Sequence, residues 1–507
     1  MEIELKLILE ADAIDAFQKH PSLKQFAKSP PVTQLHRDVY YDTPDNVLRD
    51  CQMNLRVRQA DGKWVQTLKS DSVGGALNQR YEWETQLVSP NLDLYALRNA
   101  IDRKGPWKEL ISEPSVASVL KPIFNTSVER TRWDLVNPQG DEIELVLDQG
   151  SINFEERSQV VLEIELELKS GSPLNIIDLA LTMLNDIPMR LGYESKSERG
   201  YRLKAESFGY TAVKAIPLQL SPKLNIDQAF VEIFENCLSH IQANQSGVAN
   251  SEDIDSLHQM RVGLRRLKSA LKMFNTVIQL PEELQADLEW LGDQLGEARD
   301  WDVLATSTLP KIGGDDAAIE KIRAAAAEKA KVKHRAAAAT LNSTRYAKFL
   351  LRMLQWIGVK AWRSSSNQKE NKNLNQGLKR FSNKLLVSDR RRLSKRGDAL
   401  EDADPHKRHQ VRIAAKKVRY DTEFFQSLYS QKETKTYINA LSKVQNELGW
   451  LNDIAVGQGL LMELQSENKD LANEAGYVRG YLSARETEGR KEAKKLWKRF
   501  KIKHLIK

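Results

Sequence analysis

Up to about residue 205 the chain alternates apolar and polar positions with a period of two, the signature of half-buried β-strands. Segments 1–9, 33–41, 53–57, 64–69, 81–88, 127–136, 142–147 and 160–168 carry the pattern. Successive side chains in a strand point to opposite faces. In the first segment Ile3, Leu5 and Leu7 therefore share one face, and Glu2, Glu4 and Lys6 the other. Turn sequences at 42–46, at Gly62 and at 137–140 separate neighbouring strands, and helical stretches are expected near 92–100 and 175–184.

Residues 206–222, with Gly209, Pro217 and Pro222, read as a linker. Beyond it the period changes to three and four, predicting helices over 230–241, 256–274, 284–304 and 317–341. His258, Arg261, Arg265, Lys268 and Lys272 recur at helical steps and share one face. The pattern then returns. Residues 408–419, with His409, Arg412, Lys416 and Arg419, parallel 257–268, and Leu448-Gly449-Trp450-Leu451-Asn452-Asp453 echoes Leu295-Gly296-Glu297-Ala298-Arg299-Asp300. An internal duplication of this kind predicts two similar helical halves with equivalent basic faces. The second copy departs by placing Asn452 where the first has Arg299.

Charge sharpens the division. Residues 1–210 hold 25 Lys and Arg against 33 Asp and Glu, whereas residues 211–507 hold 51 against 36. The second part is expected to attract polyanions. At 507 residues the chain exceeds one core. Two cysteines, Cys51 and Cys237, fit a reducing compartment and no disulfide framework. No secretory leader and no apolar run of membrane-crossing length is read, so a cytoplasmic protein is expected.

The ionic faces of the first part are sorted by sign. Arg56 with Arg58 and Arg130 with Arg132 offer paired guanidinium forks, the preferred grip for phosphate oxygens. Glu163, Glu165 and Glu167 offer only carboxylates, as do Glu142 and Glu144 leading to Asp148, and such groups suit Mg²⁺ or Mn²⁺. Closed with that face inward, the sheet forms an anion-and-metal tunnel; closed the other way, it is an ordinary polar-out sheet. Alternation alone does not choose.

Specific stretches do. Glu-x-Glu-x-Lys at 2–6, Tyr-Tyr-Asp-Thr-Pro at 40–44, Leu-Arg-Val-Arg at 55–58 and Thr-Leu-Lys at 67–69 resemble the CYTH family, the triphosphate tunnel metalloenzymes. Arg-Thr-Arg at 130–132, Glu-Ile-Glu-Leu-Glu at 163–167 and Lys-Ser-Glu-Arg-Gly-Tyr at 196–201 extend the resemblance in the family's order. It implies an eight-stranded antiparallel closed tunnel over 1–205, flanked by helices, cleaving triphosphates with Mg²⁺ or Mn²⁺. By the same resemblance Lys6, Arg56, Arg58, Arg130, Arg132 and Lys196 grip substrate. Lys69 and Tyr41, or its neighbour Tyr40, steady the scissile phosphate or leaving group. Glu2, Glu4, Glu163, Glu165 and Asp148 bind metal, with Glu165 also placed to position water. Glu142 and Glu167 are read as solvated.

The duplicated part, 223–507, resembles CHAD, an all-α domain. That resemblance implies binding of polyphosphate by His258, Arg261, Arg265, Lys268, His409, Arg412, Lys416 and Arg419. Joined, the two resemblances imply an inorganic triphosphatase that cleaves tripolyphosphate and holds long-chain polyphosphate. Thiamine-triphosphatase and adenylate cyclase activities are the enzymatic alternatives, and a non-catalytic polyphosphate scaffold is the alternative of another class. Nothing in the helices, which lack interleaved aromatics, points to nucleic acid.

Overall fold

The computed structural model describes residues 2–70, 78–102, 106–205, 209–313, 316–365, 372–398, 400 and 405–501. Two compact units emerge: Met1–Tyr210 with Leu341–Val359, and Thr211–Thr340 with Lys360–Lys507.

The first unit is built on an antiparallel sheet. Its strands are β1 (Glu2–Leu9), β2 (Val32–Asp42), β3 (Met53–Ala60), β4 (Lys63–Ser70), β5 (Asn78–Arg80), β6 (Glu82–Leu87), β7 (Lys121–Val136), β8 (Glu142–Phe154), β9 (Arg157–Ser170) and β10 (Met189–Leu191). Pairing runs β10-β1-β9-β8-β7-β2-β3-β4-β6, and β5 returns to β1. β5 and β6 are separated by Tyr81 alone and act as one bent strand. The circuit through β1 to β9 is thus closed with eight strands, β10 being an outer addition. Closure leaves the circuit without the unpaired edge an open sheet would carry.

Strands β7, β8 and β9 run longer than alternation predicts. Alternation is read in β8 only over 142–147, but the strand continues through Gly150, which lies against β7, to Phe154. A Cβ at Gly150 would overlap the backbone of Ser127 and Val128. Helix Lys196–Lys204 packs on β7, β8 and β9. Its Tyr201 enters an apolar cluster with Tyr40, Phe124, Val128, Ile152 and Val161. Val128 lies on the same side of β7 as Arg130, so this helix lies across one end of the barrel interior. A capping box at Ser195 and Glu198 starts it.

The second unit is helical, with helices Ile254–Phe274, Glu282–Val303, Pro405–Phe424, Gln431–Glu467 and Ala472–Lys501 among its longest. Of the expected linker, 206–208 lie outside the described residues, and the unit boundary falls after Tyr210. The expected single domain over 223–507 differs from the compact units in one respect. Helix Thr344–Gly358 belongs to the first unit, packing on helix Pro173–Asp186 and β10. Thr344 Oγ1 donates to the Met189 carbonyl at 3.0 Å, Arg190 to Asn342 at 3.2 Å, and Tyr193 to the Leu341 carbonyl. Phe349, Leu350, Met353, Trp356 and Ile357 are all buried, which alternation-based reading of the first 205 residues had no means of including.

Each such side chain contributes about 1.5–3 kcal/mol on burial. A fragment ending at Tyr210 should therefore unfold at a lower urea concentration than the same fragment mixed with a peptide spanning 341–359. Equal midpoints with and without the peptide would count against this helix as part of the first unit.

Candidate active site

Strand register decides what faces the barrel interior. Glu4 and Lys6 stand opposite Glu167 and Glu165 of β9. Glu163 stands opposite Asp148 of β8, and Asp148 opposite Arg130 of β7. On the other side Asp38 pairs with Arg58 and Tyr40 with Arg56, while Thr67 and Lys69 pair with Glu84 and Glu82. Paired residues project to the same side, so a one-residue slip would empty the interior of every one of them. Between the two walls lies a cavity of about 230 Å³.

One wall is a buried ionic cluster. Single oxygens of Asp148, Glu163 and Glu165 lie within 4.8 Å of one another. Lys6 Nζ donates to Glu163 at 3.0 Å and Glu165 at 2.8 Å. Lys196 Nζ reaches Asp148 at 2.7 Å and Glu165 at 3.0 Å, and also pairs with Glu163. Arg130 donates to Asp148 at 2.7 Å and Glu165 at 2.8 Å, and Arg199 to Glu163 at 2.9 Å. Burial alone would drive these groups toward their neutral forms. For Glu165 it is overcome by Lys196, Lys6 and Arg130, which hold the carboxyl well below its usual range. Asp148 is likewise held low, against burial, by Arg130 and Lys196. The carboxylates in turn raise Lys6 and Lys196 above the ordinary ammonium range, although burial opposes it.

The opposite wall centres on Asp38. Arg58 donates to it twice at 2.8 Å, and Arg56 once at 3.4 Å. Against the cost of burial, these guanidiniums keep Asp38 below the usual carboxylate range. Lys69 pairs with Glu82 at 2.9 Å. Burial, then Arg58 and Arg130, push His36 down to about 4, leaving a neutral imidazole between two cations.

Most of the expected residues converge here. Glu4, Lys6, Arg56, Arg58, Lys69, Arg130, Glu165 and Lys196 border the cavity, and Asp148 and Glu163 stand directly behind it. Only the backbone of Glu2 lies within the described part of the chain, in β1. Three expectations are corrected, for Arg132, Tyr41 and Glu167. Arg132 does not border the cavity: it lies on the same side of β7 as Arg130, opposite Val146, but further along the strand, where its side chain is nearly half exposed and pairs with Asp134 at 3.5 Å. Of the two neighbours it is Tyr40, not Tyr41, that faces inward, because Tyr40 stands opposite Arg56 and Tyr41 opposite the buried Leu55. Tyr40 borders the cavity and stacks on Phe124 at 4.6 Å, whereas Tyr41 packs against the outer cluster of Leu48, Met53 and Leu55.

Glu142 is half exposed and pairs with Lys28 at 2.8 Å, whereas Glu167, expected in solvent, borders the cavity and pairs with Lys169 at 2.7 Å. Sequence reasoning missed Asp38 and Arg199. Arg199 was signalled by its place in 196–201; Asp38, a single acid in a strand without a charge pattern, was not. Glu82 and Glu84 shared a visible face but received no role.

In the second unit the duplicated faces meet. His258, Arg261, Arg265 and Lys268 on helix Ile254–Phe274 are half-buried, as are Arg412, Lys416 and Arg419 on helix Pro405–Phe424; His409 is exposed. Arg265 bears on both copies. Burial, then Arg299 and Arg265, push His258 down to about 4, and burial, then Arg412 and Arg265, push Lys416 down to about 6. Glycines make room for the cations: a Cβ at Gly292 would sit 2.5 Å from Lys268 Nζ, and one at Gly296 2.8 Å from Arg261 Nη1. Among the described residues, Arg261 Nη1, Arg265 Nε and Arg412 Nε are buried without a hydrogen-bond partner. Asn452 accepts from Arg412 at 3.0 Å and lies 3.3 Å from His409, so the second copy uses a neutral amide where the first has the cation Arg299.

Comparison with known proteins agrees with both units. The CYTH domain family matches residues 1–201, and the CHAD domain family residues 232–462. Over 172 residues the chain is 36% identical to an inorganic triphosphatase of Haemophilus influenzae, a stretch covering 34% of this chain and 46% of that protein. The match thus spans about half the length of that relative. The crystal structure of the CHAD domain from the plant Ricinus communis is similar at 36% identity and a TM-score of 0.54, covering 59% of this chain and 99% of that one. The chain therefore belongs to the proteins that join a CYTH domain, here residues 1–201, to a CHAD domain, here residues 232–462.

Proposed function

We propose that the barrel cavity binds inorganic tripolyphosphate and hydrolyses it to pyrophosphate and phosphate, while the converging basic faces of the second unit bind long-chain polyphosphate. The observation that carries this reading is the cavity's lining. Among its described residues only Val146 and the ring of Tyr40 are apolar surface, and the others are charged or hydrogen-bonding. Such a space favours a substrate made of linked phosphates over one with an organic group to enclose. The likeness to an inorganic triphosphatase supports the same choice.

The three clustered carboxylates suit a Mg²⁺ or Mn²⁺ ion, since these hard cations take oxygen ligands. Asp148, Glu163 and Glu165 would hold it, with Glu4 beside Lys6 at 3.7 Å as a further donor. When bound, the ion supplies charge neutralisation on the phosphate oxygens and helps align attack. The chain's own part is positioning and electrostatics, which dominate phosphoryl transfer. Arg56, Arg58 and Arg130 grip non-bridging oxygens, and Lys6 and Lys196 neutralise the phosphate nearest the acids. Lys69, fixed by Glu82, steadies the scissile phosphate, and Tyr40 takes the place first given to Tyr41. Glu165, kept ionised by its three cations, orients the attacking water.

In the second unit half-buried cations from both copies crowd together, only partly balanced by Asp300 and Asp453, and a polyanion would supply further counter-charge. Among the described residues no helix is long and apolar enough to cross a membrane.

The decisive assay offers the full chain tripolyphosphate, ATP, thiamine triphosphate and long-chain polyphosphate with Mg²⁺ or Mn²⁺, measuring phosphate and cyclic AMP. Tripolyphosphate should be turned over fastest; preferential release of cyclic AMP, or no turnover of any compound, would defeat the reading. Arg56→Ala and Glu4→Gln should each lower turnover more than about tenfold, a loss typical of removing one preorganised charge. Wild-type rates in either folded variant would strike that residue from the site.

Lys416 generates a separate expectation. An ammonium lowered to about 6 is mostly neutral near pH 7, and a bound polyanion raises it again. Binding of long-chain polyphosphate should then take up about one proton, and affinity should fall as pH rises above neutrality. Calorimetry in buffers of different ionisation enthalpy reads that uptake, which Lys416→Met should remove. Identical heats in every buffer would show that Lys416 does not titrate with binding.

A further inference from the structure

Two motif stretches, 40–44 and 196–201, are only partly used by the chemistry above, and in the fold they meet. Asp42, at the end of β2, is fully buried. Its Oδ1 accepts the backbone N–H groups of Thr43 at 2.7 Å and Leu48 at 2.8 Å. Its Oδ2 accepts the Arg49 N–H at 3.1 Å and the Tyr201 hydroxyl at 2.6 Å. Four donors occupy the lone-pair sites of an ionised carboxylate. Three come from the loop that Asp42 itself begins and give that loop its shape. The fourth comes from helix Lys196–Lys204, more than 150 residues away in sequence.

Further contacts reinforce the join. Thr43 Oγ1 accepts the Val47 N–H at 3.0 Å, and Asn46 adopts φ +59° at the start of the short helix Val47–Asp50. Asn46 Oδ1 accepts from Lys204 Nζ at 2.8 Å, and the Arg49 guanidinium lies 5.4 Å from the Tyr201 ring centre. Against β7 the helix fits without a side chain at Gly200, where a Cβ would overlap the Phe124 ring. Packing of that kind fixes distance from the sheet. It leaves position along the helix axis to directional bonds.

Toward the start of this helix stand Lys196, its first residue, and Arg199, whose charged tips meet Asp148, Glu163 and Glu165. A helix moves as a rigid rod over so short a length, so displacement at Tyr201 appears at Lys196. We infer that Asp42 and Tyr201 form a latch, a pair of positioning residues that sets how far Lys196 and Arg199 reach into the cavity. This inference rests on the reading of the cavity as a triphosphate site. A latch remote from the phosphates matters because the grip on substrate depends on where its cations are held.

Tyr201→Phe removes only the hydroxyl and keeps the ring in its cluster. Lys196 is placed to grip substrate before and during reaction, so its slackening should appear as uniform binding lost. The KM for tripolyphosphate should rise about fivefold or more with kcat within about twofold of wild type. A merely structural hydroxyl would instead lower the melting temperature and the active fraction at unchanged KM. In parallel, hydrogen exchange without any phosphate should accelerate about tenfold in residues 199–204 and stay unchanged in helix Pro173–Asp186. Asp42→Asn should show the same split more strongly. Unchanged KM with unchanged exchange in folded Tyr201→Phe would overturn the latch. If wild-type protein fails to cleave tripolyphosphate, the reading of the cavity falls, and the exchange comparison still decides whether the hydroxyl holds the helix.

Discussion

The structure of the first unit depends on three carboxylates that cannot be buried together unless cations are buried with them. Asp148, Glu163 and Glu165 come from β8 and β9, yet the four groups that hold them come from three other elements: Lys6 on β1, Arg130 on β7, and Lys196 and Arg199 on one helix. Removing one partner from such a cluster strands a buried charge, at a cost of about 3–5 kcal/mol. The cluster therefore ties together the first strand, the central hairpins and the last helix of the barrel. The same dense packing of charge makes the wall suited to phosphate oxygens and hard cations.

Closure of the sheet is the second half of that constraint. A strand with charged residues on one face and Leu or Ile on the other is equally content with either face in water. Here the apolar faces are covered by helices, including Pro173–Asp186 and Thr344–Gly358, and by the cluster under Leu97 and Ile111. With the outside apolar and sealed, the charged faces have only one another. Helix Lys196–Lys204 then lies across one end, adding its cations to the acids and its aromatic side to the apolar part of the interior.

The two units treat buried charge in opposite ways. In the barrel nearly every cation has a carboxylate within hydrogen-bonding reach, and the ammonium groups are driven to hold their protons. In the helical unit burial prevails: it lowers Arg261 to about 10 against the pull of Asp300, and together with Arg412 and Arg265 it lowers Lys416 to about 6. The first arrangement is preorganised without ligand. The second brings cations of both copies close together with only partial balance from Asp300 and Asp453.

Much of this was legible in the chain itself. Period-two alternation marked the eight strands of the circuit, and sorting of charge by sign named most of the cavity, because a strand's faces follow from residue parity alone. The repeat of 257–268 at 408–419 likewise marked paired basic helices. Parity puts Tyr40 and Tyr41 on opposite faces without saying which face turns inward, so Tyr41 was named where Tyr40 stands. It cannot see how far along a strand the cavity extends, so Arg132, on the side of Arg130 but outside the cavity's lining, was counted in, and Asp38 was overlooked until Arg56 and Arg58 closed on it. Nor could local pattern assign helix Thr344–Gly358 to the barrel or bring Asp42 to Tyr201, since both depend on contacts between residues distant in sequence. The sequence by itself determined which side chains share a face; only the tertiary structure decided which faces meet, because that choice depends on register, closure and burial across the whole unit.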